Sequence, residues 1–290
     1  MLITVFTPTF NRAYTLEKLY QSLLNQSNLS FEWVVVDDGS TDETSHLFEH
    51  WLQKENPFYI SYHKQENQGK HVAINKGLEL ANGEVFFIVD SDDEITENAI
   101  EKIITWSEKI IADQQFWGVS GNLIQPDGKA IGTSFTGQYK DLYYHERQQN
   151  NIKGDKAEAF FMHQIRDFRF PVFENEKFLT ESVLFLEFGE RFKIRYYNEP
   201  IYVAEYLQDG LSKNITNILK KNPKGLAHLI TKEIQVYKKG IKAQLSYFYY
   251  YYRDYKDTLS FSEIRDNLKT SSLFLALAIM GFTILNFFRK

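Results

Sequence analysis

The chain of 290 residues can bury one large core or two small ones, and its 43% hydrophobic and 24% charged residues are ordinary for a folded protein. It has no cysteine, which excludes disulfides and thiolate metal sites and allows a reducing compartment. Charge divides unevenly: residues 1–212 hold 19 Lys and Arg against 33 Asp and Glu, net −14, and residues 213–290 hold 14 against 5, net +9, which points to a basic tail with an anionic partner.

The opening MLITVFTPTFNR lacks the basic start and small-residue cleavage site of a signal peptide. Leu2 to Thr7 reads as a short apolar strand that stops at Pro8, which cannot donate to a ladder. Leu16, Leu19, Leu23 and Leu24 then fall at helical spacing, predicting a helix over Tyr14–Asn25. Phe31 to Val36 is a second buried strand. It ends in Asp37 and Asp38, with Gly39 for the turn and Ser40 or Thr41 to cap a helix starting near Asp42. Phe58 to His63 is a third strand, and ENQGKHVAINKGLELANGE supplies a loop, a helix from Lys70 and a stop at Gly83.

The next stretch, VFFIVDSDDEI from Val85 to Ile95, organises the reading. Five apolar residues in a row predict a strand buried on both faces. Three carboxylates follow within four positions, Asp90, Asp92 and Asp93. Such a strand delivers its acids to the carboxyl edge of an open α/β sheet, where ligands bind. Carboxylates this close raise one another's pKa unless a cation sits among them, and hard oxygen donors suit Mg²⁺ or Mn²⁺ bridging to phosphates. A turn with a helix N-cap, completed by Glu97, accounts for one Asp but not for three. The alternation of strands and helices within 90 residues argues a parallel sheet with right-handed crossovers, and two of its strands end in paired acids at one edge. His63 and His71 have no second His or Cys at metal spacing and read as structural or surface histidines.

Four motifs in this order and spacing resemble the family 2-type glycosyltransferases, inverting enzymes of the GT-A fold that use nucleotide-sugar donors. They are PTFNR (Pro8 to Arg12), VVVDDGSTDET (Val34 to Thr44), NQGKHVAINKG (Asn67 to Gly77) and VDSDDEI (Val89 to Ile95). The resemblance implies a Rossmann-like, mixed but mainly parallel sheet flanked by helices. It places Thr7, Pro8, Thr9 and Arg12 on the donor side, with Asp38 accepting from the N3–H of a uracil-like base and Lys70 near the ribose or pyrophosphate. Asp90, Ser91 and Asp92 form the DxD-type element. Asp92 or Asp93 then holds Mn²⁺ or Mg²⁺.

Beyond a helix over Glu97–Ile111, Trp117 to Gln125 predicts a strand, Pro126-Asp127-Gly128 a turn and Lys129 to Thr136 its hairpin partner. In the resembled family this half binds the acceptor and carries the catalytic base. Relatives show Glu-Asp before an apolar helix; here the pair is Glu181-Ser182, so Glu181 is the candidate base, with Glu174 and Glu176 behind it. Helix-dipole complementation is the structural alternative for Glu181. The stretch EYLQDGLS, Glu205 to Ser212, resembles the segment that closes over the donor pyrophosphate. It has no Arg or His, which leaves Ser212, Lys213 or backbone N–H groups for that contact.

The expected domains are a GT-A domain over 1–212, divided into a donor half (1–112) and an acceptor half (113–212), and a basic, aromatic helical tail over 213–290. The tail carries YFYYYYRDY (Tyr247 to Tyr255) and the 16-residue apolar run Leu273 to Phe288 before Arg289-Lys290. That run is short of the ~20 residues of a spanning helix. Its basic flanks and amphipathic tyrosines fit an interfacial or re-entrant anchor at the inner face of the cell membrane, with a core helix or a dimer seam as alternatives. No nucleic-acid recognition motif is present. The expected activity is transfer from a UDP-sugar to a hydroxyl of a glycan or lipid-linked acceptor. A sugar nucleotidyltransferase would want a glycine-rich loop after the first strand, and PTFNRAY has no glycine; a nucleotide-sugar-binding module without catalysis is the other alternative.

Overall fold

A computed structural model describes residues 1–205 and 211–287, the side chains of 211–213 and 283–287 excepted. The chain divides into two compact units, residues 1–170 with 188–208 and residues 171–187 with 209–290.

The first unit is a mixed sheet with helices on both faces. Strands β1 (Ile3–Thr9), β2 (Phe31–Asp37), β3 (Tyr59–Lys64) and β4 (Val85–Ile88) alternate with helices α1 (Ala13–Leu24), α2 (Thr44–Leu52) and α3 (Lys70–Leu80). Then follow β5 (Glu94–Ile95), α4 (Ala99–Glu108), β6 (Phe116–Ile124), β7 (Ala130–Ile131), β8 (Tyr139–Leu142), β9 (Lys156–Phe161), α5 (Met162–Ile165) and, after α6 (Ser182–Phe188), β10 (Lys193–Val203). The order β3-β2-β1-β4-β9-β6-β10-β5 is parallel through its first four strands; β9 then enters antiparallel, and β6 and β10 run parallel to each other. Four of the seven neighbouring pairs are therefore parallel: the sheet is mixed and mainly parallel, as the family resemblance implies, with the all-parallel arrangement confined to its first four strands.

Buried alternation decides which helix covers which face. Val5, Trp33, Val35 and Phe87 meet Leu16 and Leu19 of α1, Phe48 and Trp51 of α2, and Ile100 and Ile103 of α4 in one core. Phe6 stacks on Phe86 at 5.1 Å and packs against α3 at Gly77. After β3 the chain crosses back and adds β4 on the far side of β1. That reversal makes the β1/β4 boundary the switch point where open sheets bind ligands.

Two boundaries differ from expectation. Pro8 does not end β1; it pairs in register with Val36. Alternate backbone groups face opposite neighbours: the Phe6 carbonyl accepts from Val89 and the Thr9 carbonyl from Asp38. The Pro8 nitrogen therefore faces the β4 side, where pairing has already ended at Phe6 and Ile88, and its missing N–H breaks no ladder bond. The partner of β6 beyond the Gly128 turn is only Ala130–Ile131, not the whole of 129–136; Thr133 bonds Lys153 instead.

The second unit is helical: the start of α6, then α7 (Leu211–Lys220), α8 (Pro223–Val236), α9 (Ile241–Tyr255), α10 (Phe261–Asn267) and α11 (Ser272–Phe287). Its core gathers Ala227, Ile230, Phe248, Tyr251, Tyr255, Ile264, Leu268, Leu275 and Ala278. Two core tyrosines keep their hydroxyls satisfied, Tyr251 donating to the Pro223 carbonyl (2.9 Å) and Tyr255 to that of Leu219 (2.6 Å). Among the described residues no helix is long and apolar enough to cross a membrane.

The close approach of α3 to β1 yields a stability test. A Cβ built on Gly77 would lie 2.2 Å from the Phe6 ring, which is held in turn by Phe86. Gly77→Ala should therefore destabilise by about 1–3 kcal/mol despite alanine's better helix propensity. Urea unfolding against wild type checks this; an unchanged midpoint would mean the ring has room to move.

Candidate active site

The loops at the carboxyl edge of the parallel strands are stitched to one another by short polar side chains. Asn11, in the left-handed region at φ 52°, donates its N–H to Ser40 Oγ (2.8 Å), and its Oδ1 accepts from Thr41 N (2.8 Å). Asp42 Oδ2 accepts from Ala13 N at 3.0 Å, at the start of α1. These bonds fasten the PTFNR loop to the DDGST loop.

Both acids that end β2 act as buried braces. Asp37 accepts from Ser40 N (2.7 Å) and from the Tyr62 hydroxyl (2.5 Å). Asp38 accepts from Gln65 Nε2 (2.8 Å), Gln68 N (2.8 Å) and Gly69 N (2.7 Å), which fixes the loop that opens α3. Gly39 is required beside it: at φ 83°, a Cβ there would sit 2.9 Å from Asn67 N. With this loop held, Lys70 at the first turn of α3 reaches Asp90, its Nζ 2.7 Å from Oδ1 and 2.9 Å from Oδ2.

Asp90, Asp92 and Asp93 sit beyond the end of β4 in a turn closed by Asp93 N donating to the Asp90 carbonyl (3.1 Å). Each offers a carboxylate oxygen within 4.8 Å of the other two. Burial and the Asp90 charge raise both neighbours; Asp93 is pushed up to about 7, and at Asp92 the charges of Arg12 and Lys70 work against the rise. Arg12 Nε lies 3.9 Å from Asp92. Partly buried oxygens that repel one another form a donor set that fits a hard divalent cation.

Tyr202, on β10, braces the turn from the other side. Its hydroxyl accepts from Asp90 N (3.0 Å) and donates to Asp93 Oδ2 (2.9 Å), while Glu205 N donates to Asp93 Oδ1 (3.2 Å). Tyr202 was not among the expected site residues; it lies more than a hundred positions from Asp93 and carries no local signal.

Of the expected residues, the structure brings Arg12, Lys70, Asp90, Asp92 and Asp93 together. Ser91 is buried within the acidic turn. Thr9 is buried, its Oγ1 without a hydrogen-bond partner among the described residues. Thr7 faces the core, where Oγ1 accepts from Trp33 Nε1 (3.0 Å), and Pro8 is buried beside it. His71 is buried edge-on to Phe170 at 6.4 Å, and burial lowers its pKa. Glu181 belongs to the second unit, where its carbonyl accepts from Leu184 N in the first turn of α6. Glu176, also in that unit, caps α8 by accepting from Lys224 N (2.7 Å) and Gly225 N (2.8 Å). Tyr206–Gly210 lie outside the described residues, as do the side chains of Ser212 and Lys213, so the expected closing segment falls there.

A parallel sheet edge carrying an acidic turn at its switch point, continued by antiparallel strands, is the arrangement of a GT-A glycosyltransferase. The sequence bears this out: residues 4–174 match the model of Glycosyl transferase family 2, and the chain belongs to that family. TuaG of Bacillus subtilis (strain 168), named for teichuronic acid biosynthesis, is 27% identical over 220 residues, 76% of this chain and 85% of that protein. The GalNAc(5)-diNAcBac-PP-undecaprenol beta-1,3-glucosyltransferase of Campylobacter jejuni is 33% identical over 183 residues, 62% of this chain but only 55% of that protein. Among solved structures, S. aureus TarS 1-349 in complex with UDP-GlcNAc superposes with a TM-score of 0.64 at 17% identity, covering 89% of this chain and 73% of that one; it shares the fold.

The Tyr202 brace is testable without any ligand. Tyr202→Phe keeps the ring against Phe87 and removes only the hydroxyl that bonds a carboxylate. It should cost about 1.5–3 kcal/mol in denaturant unfolding above about pH 8, where Asp93 is ionised, the range for a hydrogen bond to a charged group. A loss below about 0.5 kcal/mol would show that the turn holds without it.

Proposed function

We propose that this protein is an inverting glycosyltransferase that moves a sugar from a UDP-sugar to a hydroxyl of a glycan or lipid-linked acceptor in cell-surface polysaccharide biosynthesis. The observation that carries the reading is the cluster of Asp90, Asp92 and Asp93 at the switch point, flanked by Lys70 and Arg12. Support for the donor comes from a fold neighbour bound to UDP-GlcNAc, and for a lipid-linked acceptor from the name of the Campylobacter relative.

In this reading Asp92 and Asp93 hold Mn²⁺ or Mg²⁺, with Asp90 and Ser91 completing the turn on the donor side. The ion, when bound, supplies positive charge that offsets the leaving diphosphate. Lys70 and Arg12, already drawn to the acids, bind the pyrophosphate and orient it. Thr9 and Asp38 form the wall against which the base and ribose rest, backed by Thr7 and Pro8 at the end of β1, and Asp38 shapes the 65–69 loop while it receives the base. Glu181 removes the proton of the acceptor hydroxyl as that oxygen displaces the diphosphate at the anomeric carbon in one step. Glu176 is spent on capping α8, which leaves Glu181 as the better base of the two. The protein works at the cytoplasmic face of the membrane, held peripherally through its helical tail. The non-catalytic alternative, a nucleotide-sugar-binding module, rests on Ser182 standing where relatives carry a second acid.

Two variants separate these roles. Asp92→Asn should lower Mn²⁺ affinity in calorimetry and cut transfer by several orders, with an unchanged circular dichroism spectrum; turnover in EDTA equal to turnover with Mn²⁺ would refute the cation reading. Glu181→Gln should bind UDP-sugar as wild type does and transfer about 10²–10⁴-fold more slowly, the usual loss of general-base help. Near-normal transfer by Glu181→Gln would move the base to Glu174, and no turnover by wild type across a panel of UDP-sugars would favour the binding module.

A further inference from the structure

We infer that α11 seats this protein on an anionic bilayer by lying flat in the interface, with Leu273, Leu277 and Met280 as its immersed edge. The inference rests on the proposed attachment through the tail and specifies its geometry and its lipid.

The helix has two apolar faces, and only one is covered. At about 100° per residue, Leu275, Ala278 and Phe282 point to one side and Leu273, Leu277 and Met280 to the other. The first face is core: Leu275 and Ala278 are fully buried in the cluster with Phe248, Tyr251 and Tyr255, and Phe282 stacks on Tyr249 at 5.1 Å. The second face is open, with Leu273, Leu277 and Met280 exposed by 71%, 47% and 53%. Three large apolar side chains in line at i, i+4 and i+7 form a patch that water disfavours. A helix docked along one side to α9 does not also cross a bilayer alone. Its 16 described residues, Ser272–Phe287, span about 24 Å, against the ~30 Å hydrocarbon core. An apolar edge on a docked helix suits burial parallel to the surface, at the depth of the headgroup boundary.

Charge selects the partner. The unit that carries α11, residues 171–187 and 209–290, holds 15 Lys and Arg against 10 Asp and Glu. On the α9 side of the helix, Tyr250 is half exposed beside Phe282, at 6.2 Å, with the Arg253 guanidinium over its ring at 4.9 Å. An aromatic ring with a cation beside it is the pairing that suits a headgroup layer. Two such basic units placed face to face would repel, whereas an anionic lipid surface attracts each of them.

The test uses the full chain in flotation with vesicles of phosphatidylcholine alone or mixed in equal parts with phosphatidylglycerol. Wild type should float with the mixed vesicles, less with neutral ones, and less again as salt rises. Leu277→Glu with Met280→Glu should weaken flotation by about tenfold or more, because it puts two charges at the immersed edge. Since the chain has no cysteine, Met280→Cys carrying an environment-sensitive dye reads the same contact with minimal perturbation, and its emission should shift to the blue on mixed vesicles. Wild type that stays with the soluble fraction, a Glu pair that floats unchanged, or a dye that does not shift would each overturn the inference. So would a wild-type dimer that Leu277→Glu splits, since the edge would then be a seam between copies. UDP-sugar hydrolysis in solution, measured on the same samples, is independent of this edge. Its absence with flotation intact would refute the transferase reading and leave the membrane geometry standing.

Discussion

The site depends on holding three like charges together. Asp90, Asp92 and Asp93 come within reach of one another because β4 stops beside β1 and the chain turns back through a single tight turn. Left alone, partly buried carboxylates at this spacing would open the turn or take up protons, and the raised pKa values of Asp92 and Asp93 are the mark of that pressure. Lys70 and Arg12 answer it on one side with charge, and the Tyr202 hydroxyl and Glu205 N–H on the other with hydrogen bonds. A cluster so poised is a donor set that fits a divalent cation.

Everything else at this edge keeps those partners in place. Asp38 spends its carboxylate on the loop before α3 and thereby aims Lys70. Asn11, Ser40 and Asp42 tie the loop that carries Arg12 to the loop after β2. Acids at the ends of two strands thus play different parts: those after β2 hold loops in place, Asp38 being also the proposed partner of the base, and those after β4 form the candidate cation site. The same residue type does both because a short carboxylate satisfies loop N–H groups as readily as it meets a cation.

The helical unit shows a second constraint, an apolar helix with more apolar surface than its neighbours cover. Helix α9 takes Leu275 and Ala278, and its tyrosines bury their rings while their hydroxyls find carbonyls on the chain near α8. Among the described residues one face of α11 is left open, with Leu273, Leu277 and Met280 exposed.

The parallel half of the sheet, the family and the acidic turn are legible in the chain alone, because these are written locally. Buried strands show as runs such as VFFIV, helices as leucines at helical spacing, and the turn as three acids within four residues. The relations between distant segments are set by the fold instead. That Pro8 lies inside β1 follows from which neighbour its nitrogen faces, and the direction of a backbone nitrogen is not visible in a proline's identity. That Asp37 and Asp38 are braces follows from Tyr62, Gln65 and Gly69, brought to them by strand pairing. That Tyr202 supports the acidic turn follows from β10 pairing with β5, which joins residues over a hundred positions apart. Periodicity reports burial one segment at a time, whereas the partner of a polar group is chosen by whichever segment the fold lays beside it.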